Sequence, residues 1–233
     1  MEHLELIKRY GLDSAVGIEV GAWIHPIPGI QPTYVDCFET FAGEKCLMDI
    51  KGDACNIPLP SDSQDYVATS HVIEHVANPF QAIWEWGRVL KDGGLIYAVI
   101  PDMRSNWDRE RDVTRTNHLW ADFEADVTQV DGTHIDEFID GVVWEEFSPG
   151  SDLSAREKLR SEYQAAISRG SEINIHFHTF TPESFRAHIE SINARWAADI
   201  NFKFLELAPG FPEKCPNGFL AVLQVRKDTK PEL

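Results

Sequence analysis

In the stretch Val16-Gly17-Ile18-Glu19-Val20-Gly21-Ala22-Trp23, a short apolar run ends in an acid and a glycine, the pattern of a buried strand that turns sharply. Such a turn begins the nucleotide-binding α/β sheets. The loop beyond it, Ile24-His25-Pro26-Ile27-Pro28-Gly29, carries two prolines, which forbid a regular helix through it. The next apolar piece, Thr33-Tyr34-Val35, ends in Asp36. Only about a dozen residues separate the two strands, close to the lower limit for a crossover between parallel neighbours, so any helix between them is very short.

Working outward, residues 1–13 read as a short amphipathic helix (Leu4, Ile7, Tyr10) closed by Gly11. Downstream, a third strand fits 45–50 and a fourth fits 66–70, running into His71-Val72-Ile73-Glu74-His75. After Asn78-Pro79, a helix start signal, apolar residues recur at helical spacing from Phe80 to Leu90 and stop at Asp92-Gly93-Gly94. A fifth strand fits 95–100. Strands alternating with helices predict a mostly parallel sheet with helices on both faces. From 103 to 173 the chain turns polar and charged, and segments 116–127, 133–146 and 152–168 read as helices of an insertion over the sheet's carboxyl edge. Sheet pattern resumes at 173–178, a helix follows from Thr181-Pro182 to Ile192, and the runs 202–207 and 218–225 suit an antiparallel hairpin. Residues 227–233 read as a frayed tail. One domain spans 1–233, with 103–173 expected to cap the acceptor site.

Composition narrows the function classes. With 233 residues and 43% hydrophobic content, the chain buries a sizeable core. Lys and Arg number 21 against 38 Asp and Glu, a net charge of −17 that repels phosphate backbones and anionic membranes, so no nucleic acid partner is expected. The four cysteines form no CxxC pair, which points to thiols in a reducing compartment. No apolar stretch approaches the roughly 20 residues of a membrane span, and the N-terminus has no signal-peptide pattern, so a cytoplasmic location is expected.

The chemistry starts at the strand ends, where ligands of an open parallel sheet sit. Glu19, Asp36 and Asp53 all fall there. An acid at the end of the second strand is placed to accept both hydroxyls of a ribose, and one near Asp53 to accept an adenine amino group. A dinucleotide needs several glycines so that backbone closes on its pyrophosphate, but this turn offers Gly21 and then Trp23, His25, Pro26 and Pro28. S-adenosylmethionine (SAM) has no phosphate and carries two cationic groups, so an acidic pocket with one close glycine suffices. Glu19-Val-Gly21, Asp36, Gly52-Asp53-Ala54-Cys-Asn-Ile-Pro58, Ser70-His71-Val-Ile-Glu74-His75-Val and Leu90-Lys-Asp-Gly93-Gly94 together resemble the successive motifs of class I SAM-dependent methyltransferases of the ubiquinone-biosynthesis-like, type 11 group. The resemblance covers about 16–102 well and the last strand, helix and hairpin more loosely. It implies an α/β, Rossmann-like, seven-stranded, mostly parallel sheet with a C-terminal antiparallel hairpin and a helical insertion after the fifth strand. By the same resemblance Glu19 and Gly21 line the methionine moiety, Asp36 the ribose, Asp53 and Ala54 the adenine, and His71 lies near the methyl group. The sequence departs from the family at Trp23, where a further glycine is usual.

The methyl acceptor is read from the insertion and its return. His118 and Asp122 lie four apart, on one helical face; His134 follows; His176 and His178 lie two apart, so on a strand they point the same way. A neutral imidazole can deprotonate a hydroxyl near pH 7, which makes His118, His176 and His178 candidate bases. Imidazoles with a carboxylate also bind divalent metals, and His118, Asp122, His134, His176 and His178 are the candidate ligands. The stretch from Asp108 to Asp122 resembles methyltransferases associated with sugar and polysaccharide biosynthesis, which implies a small-molecule or glycan acceptor and O-methylation. Two alternatives stay open: an NAD-dependent oxidoreductase on the same sheet, and a non-catalytic SAM-binding or assembly protein.

Overall fold

The structure is a computed structural model, and it describes residues 2–171, 173–196 and 199–227. In chain order the elements are α1 (His3–Arg9), β1 (Gly17–Val20), β2 (Thr33–Asp36), β3 (Thr40–Phe41), β4 (Glu44–Lys45), β5 (Ile50–Lys51), β6 (Gln64–Ser70), α2 (Pro79–Val89), β7 (Leu90–Pro101), α3 (Thr116–Glu124), α4 (Gly132–Gly141), α5 (Trp144–Phe147), α6 (Leu153–Ser168), α7 (Pro182–Trp196), β8 (Ile200–Phe211) and β9 (Gly218–Lys227). Seven strands form one sheet in the order β5-β2-β1-β6-β7-β9-β8, and β3 with β4 makes a separate two-stranded ribbon. Pairing is parallel from β5 through β7 and antiparallel on both sides of β9. The mostly parallel sheet with its terminal antiparallel hairpin is the predicted fold class.

Period-two alternation sorts the strand residues between two cores. On one face Ile18, Val67, Ile96, Ile100 and Leu223 pack with Phe80, Trp86, Phe185 and Ile189 from α2 and α7. Asn78 starts α2 by accepting the Gln81 N–H at 3.1 Å, with Pro79 in the first helical turn, as its sequence signal requires. On the other face Tyr66, Ala68, Tyr97 and Val222 meet Leu6 and Ile7 of α1 and Ile27 and Ile30 of the proline-bearing loop. Helices on both faces were expected, and among the described residues the second face carries the seven-residue α1 alone. The cause is the short β1–β2 connection, which holds no helix and lays its own isoleucines on the sheet.

Three other expectations are corrected. The strand at 45–50 survives only as Ile50–Lys51 beside β2, because Cys46, Leu47 and Asp49 donate to the carbonyls of Glu39, Trp23 and Tyr34 in three different places. The helix at 133–146 breaks at Val142, which is extended, and Val143 donates to the Trp107 carbonyl. Residues 173–178 form no strand: the Phe177 and His178 N–H groups both donate to the carbonyl of Glu74, which leaves no ladder to join. Of the insertion helices, α3 packs through Leu119 on the first core, and α4, α5 and α6 pack on a third core of Val130, Ile135, Phe138, Ile139, Ile175 and Phe177. No disulfide forms, and among the described residues no helix is long and apolar enough to cross a membrane. Of the expected tail, 228–233 lie outside the described residues.

Candidate active site

Strand order reverses between β1 and β6, and a cleft of about 950 Å³ opens beyond the carboxyl ends of β1, β2, β5 and β6. This is where an open α/β sheet binds ligands. Gly21 forms its floor at φ 67° and donates to the Val35 carbonyl at 2.9 Å. A Cβ there would stand 2.5 Å from Val72 Cγ2, so both the conformation and the space require glycine. Trp23 also lies in the left-handed region, at φ 48°. Its indole N–H donates to the Phe41 carbonyl at 3.0 Å and its ring meets His25 edge-on, so an aromatic wall stands where a second glycine was expected.

Asp36 ends β2, lines the cleft and accepts the Phe38 N–H at 2.9 Å through Oδ1. Burial raises its carboxyl above the usual range, against three backbone N–H groups that lower it. Asp53 and Ala54 line the cleft from the turn after β5, where Asp53 Oδ1 accepts the Cys55 N–H at 2.7 Å. Glu19 does not line the cleft. It points to the opposite face of β1, where Oε1 accepts the Ile27 N–H at 2.9 Å and Oε2 has no partner, and burial pushes its carboxyl up to about 7. It braces the proline-bearing loop against the strand.

Six of the nine histidines fall into two groups. His71 and His75 line the cleft, on either side of the fully buried Glu74, whose Oε1 lies 3.6 Å from His71 Nδ1 and 3.7 Å from His75 Nε2. His75 Nδ1 donates to the Ile175 carbonyl at 2.8 Å, which fixes its proton. Burial pushes the His71 imidazole down to about 4 and His75 to about 3, so both are neutral at pH 7. Glu74 has no hydrogen-bond partner on either oxygen, and burial raises it to about 7. Behind it His176 Nδ1 sits 2.5 Å from Asp108 Oδ2, and Arg111 donates to Asp108 Oδ1 at 2.7 Å and to the His176 carbonyl. Asp108 raises the His176 imidazole despite burial.

The second group joins His118 and Asp122 of α3, His134 of α4 and His178 of the return segment, none of which lines the cleft. Four of the five candidate ligands therefore meet, and His176 belongs to the other group. His176 and His178 do not point the same way, because the segment that carries them is not a strand. Of the three candidate bases, none is a cleft-lining residue; His75, Gln129, Asn174 and Asn217 are, and sequence reasoning gave them no site role. His75 carried a signal in Ser70-His71-Val-Ile-Glu74-His75 directly after a strand; the other three come from separate loops that only the fold unites. No lysine or arginine lines the cleft among the described residues.

Residues 30–98, from before β2 to within β7, match the family model described as a methyltransferase domain. An uncharacterized 37.1 kDa protein from a Streptomyces fradiae transposon is 42% identical over 57 residues, which is 24% of this chain and 15% of that protein. Among solved structures, a SAM-dependent methyltransferase from Aquifex aeolicus is 10% identical, with a TM-score of 0.47 over 95% of this chain and 87% of its own. Another, from Methanosarcina mazei, is 16% identical, with a TM-score of 0.46 over 97% of each chain. The family match supports the methyltransferase resemblance over 30–98, the stretch that carries Asp36, Asp53, His71 and Glu74.

Proposed function

We propose that the cleft binds SAM and that the protein is an O-methyltransferase for a neutral, polar hydroxyl, on a glycan or a small sugar-like acceptor. The observation that carries the cofactor reading is the gathering of Gly21, Asp36, Asp53 and Ala54 at one cleft on the strand-order reversal, without a glycine-rich phosphate turn. Asp36 is placed for a ribose diol, Asp53 and Ala54 for an adenine, and Gly21 for close backbone approach. Bound SAM supplies an electrophilic methyl group on a sulfonium. Glu19 holds the loop that carries the aromatic wall and is withdrawn from direct contact.

The lining supports the acceptor reading. Gln129, Asn174 and Asn217 offer neutral hydrogen bonds, and with no lysine or arginine present a phosphorylated or carboxylate acceptor would lack a counter-charge. The insertion contributes Gln129 and the return segment just after it Asn174, which supports the reading that 103–173 caps the acceptor. His71 is the base we assign. Its low basicity keeps it neutral, and the hydroxyl proton passes to the ring as the oxygen takes the methyl and the sulfur leaves as S-adenosylhomocysteine. Alignment in the cleft supplies much of the remaining acceleration. No metal is assigned to this step, since none of His118, Asp122, His134 and His178 lines the cleft.

Thermal shift with SAM, S-adenosylhomocysteine and NAD tests the cofactor: the first two stabilise, and stabilisation by NAD alone removes the reading. Release of S-adenosylhomocysteine across a panel of neutral sugars and phosphorylated sugars then tests the acceptor. Turnover confined to phosphorylated acceptors would reject the neutral hydroxyl.

A further inference from the structure

His118, Asp122, His134 and His178 converge from three chain segments, and their four ligand atoms lie within 4.8 Å of one another. His118 Nε2 stands 3.2 Å from His134 Nε2 and 3.3 Å from Asp122 Oδ2, and Asp122 Oδ2 stands 3.7 Å from His178 Nε2. In a tetrahedral zinc site, bonds of about 2.0–2.1 Å place neighbouring ligand atoms about 3.3 Å apart. The three spacings, 3.2 to 3.7 Å, lie near that edge.

The protons of these groups do not account for the arrangement. His134 Nδ1 lies 3.2 Å from Asp131 Oδ1, so its proton belongs there and Nε2 carries a bare lone pair. That lone pair and Asp122 Oδ2 both face His118 Nε2, which has at most one hydrogen to give. Asp122 Oδ2 makes no hydrogen bond at all, although it is within ion-pair distance of two imidazoles. His178 is fully buried and neither ring nitrogen has a partner. Ligand atoms gathered within 4.8 Å of one another, with too few protons between them, suit a shared cation.

We infer that these four side chains bind one zinc ion, in a closed three-imidazole, one-carboxylate site that clamps the helical insertion. The clamp ties α3, whose Leu119 packs in a sheet core, to α4 and the return segment, which contribute Ile135, Phe138, Ile139, Ile175 and Phe177 to the third core. It also reaches the cleft wall, because Asn78, a lining residue, donates to the carbonyls of Asp122 and Val127. The inference is independent of the chemistry assigned to the cleft.

Protein purified without chelator or polyhistidine tag should hold about one zinc per chain by elemental analysis, as a closed site with four protein ligands requires. Stripping with chelator should lower Tm by on the order of 5 °C or more, and zinc chloride alone should restore it. Cobalt substitution should give the intense visible bands of four-coordinate cobalt. His118→Gln changes a partly exposed side chain and should fold by circular dichroism while losing zinc at least about tenfold more easily; His134→Gln should do the same. Glu74→Gln should retain zinc. The inference falls if the wild-type protein holds no zinc and shows no shift with zinc chloride, if cobalt reports six-coordination, or if zinc survives His118→Gln and His134→Gln but is lost with Glu74→Gln, which would place it at the cleft instead.

Discussion

The two buried histidine groups contain the same side chains in different electrostatic company. Beside the cleft, His176 faces a carboxylate that is itself held by Arg111, and His75 is fixed by a carbonyl, so most protons have one evident place. Between the insertion and the return segment, Asp122 and three imidazoles face one another with no lysine or arginine in the group. The contrast teaches that histidine density alone does not mark chemistry. What each ring nitrogen is given to bond decides whether the ring is a base, a structural partner or a ligand.

Four variants sharpen that contrast, taken from the largest expected effect. His71→Gln should lower kcat by about 10²–10⁴-fold with little change in KM, the range for a lost general base. The wild-type kcat/KM should stay flat down to about pH 5, because His71 titrates near 4 rather than near 6.5. An acid limb centred near 6.5 would move the base elsewhere. Next, Asp108→Asn breaks a buried pairing with His176 and Arg111 and should cost roughly 3–5 kcal/mol in urea unfolding. A loss under about 1 kcal/mol would show that this group is not charge-balanced as described.

Glu74→Gln reads the third difference. The folded carboxyl is raised from 4.5 to about 7, so its contribution favours the fold below pH 4.5 and is lost as pH rises through 7. Relative to wild type, the glutamine variant should therefore gain on the order of 2 kcal/mol between pH 5 and pH 8. A pH-independent difference between the two proteins would reject the raised carboxyl. The smallest effect belongs to Asn78→Ala, which removes the cap of α2 and two donors to the insertion. It should cost about 1–2 kcal/mol by thermal denaturation.

The sheet was legible because its strands are short apolar runs ending in acids or glycines, and local pattern suffices for that. Asp36 and Asp53 needed only their place after a strand, and both stand at the cleft. Glu19 had the same signal and lies on the other face of its strand, because period two sends it there while Gly21 turns to the cleft. The return segment misled because Ile173-Asn-Ile-His-Phe-His alternates like a strand, whereas its backbone is captured by one distant carbonyl, that of Glu74. The meeting of His118, Asp122, His134 and His178 is a tertiary event between helices and a coil. Only the i to i+4 pair within it could be read from spacing.

The two ends of the sheet differ in a way that bears on association between chains. β5 offers a neighbour only two residues of open edge. β8, at the other end, is twelve residues long and would be a ready template, but its register shifts between Phe204 and Glu206 and again between Pro209 and Phe211. Those irregularities, with Pro209 lacking an N–H and Lys203 exposed, divide the border into pieces too short to recruit a second strand firmly. Among the described residues, the long hairpin that finishes the sheet thus carries its own obstacles to edge-to-edge growth.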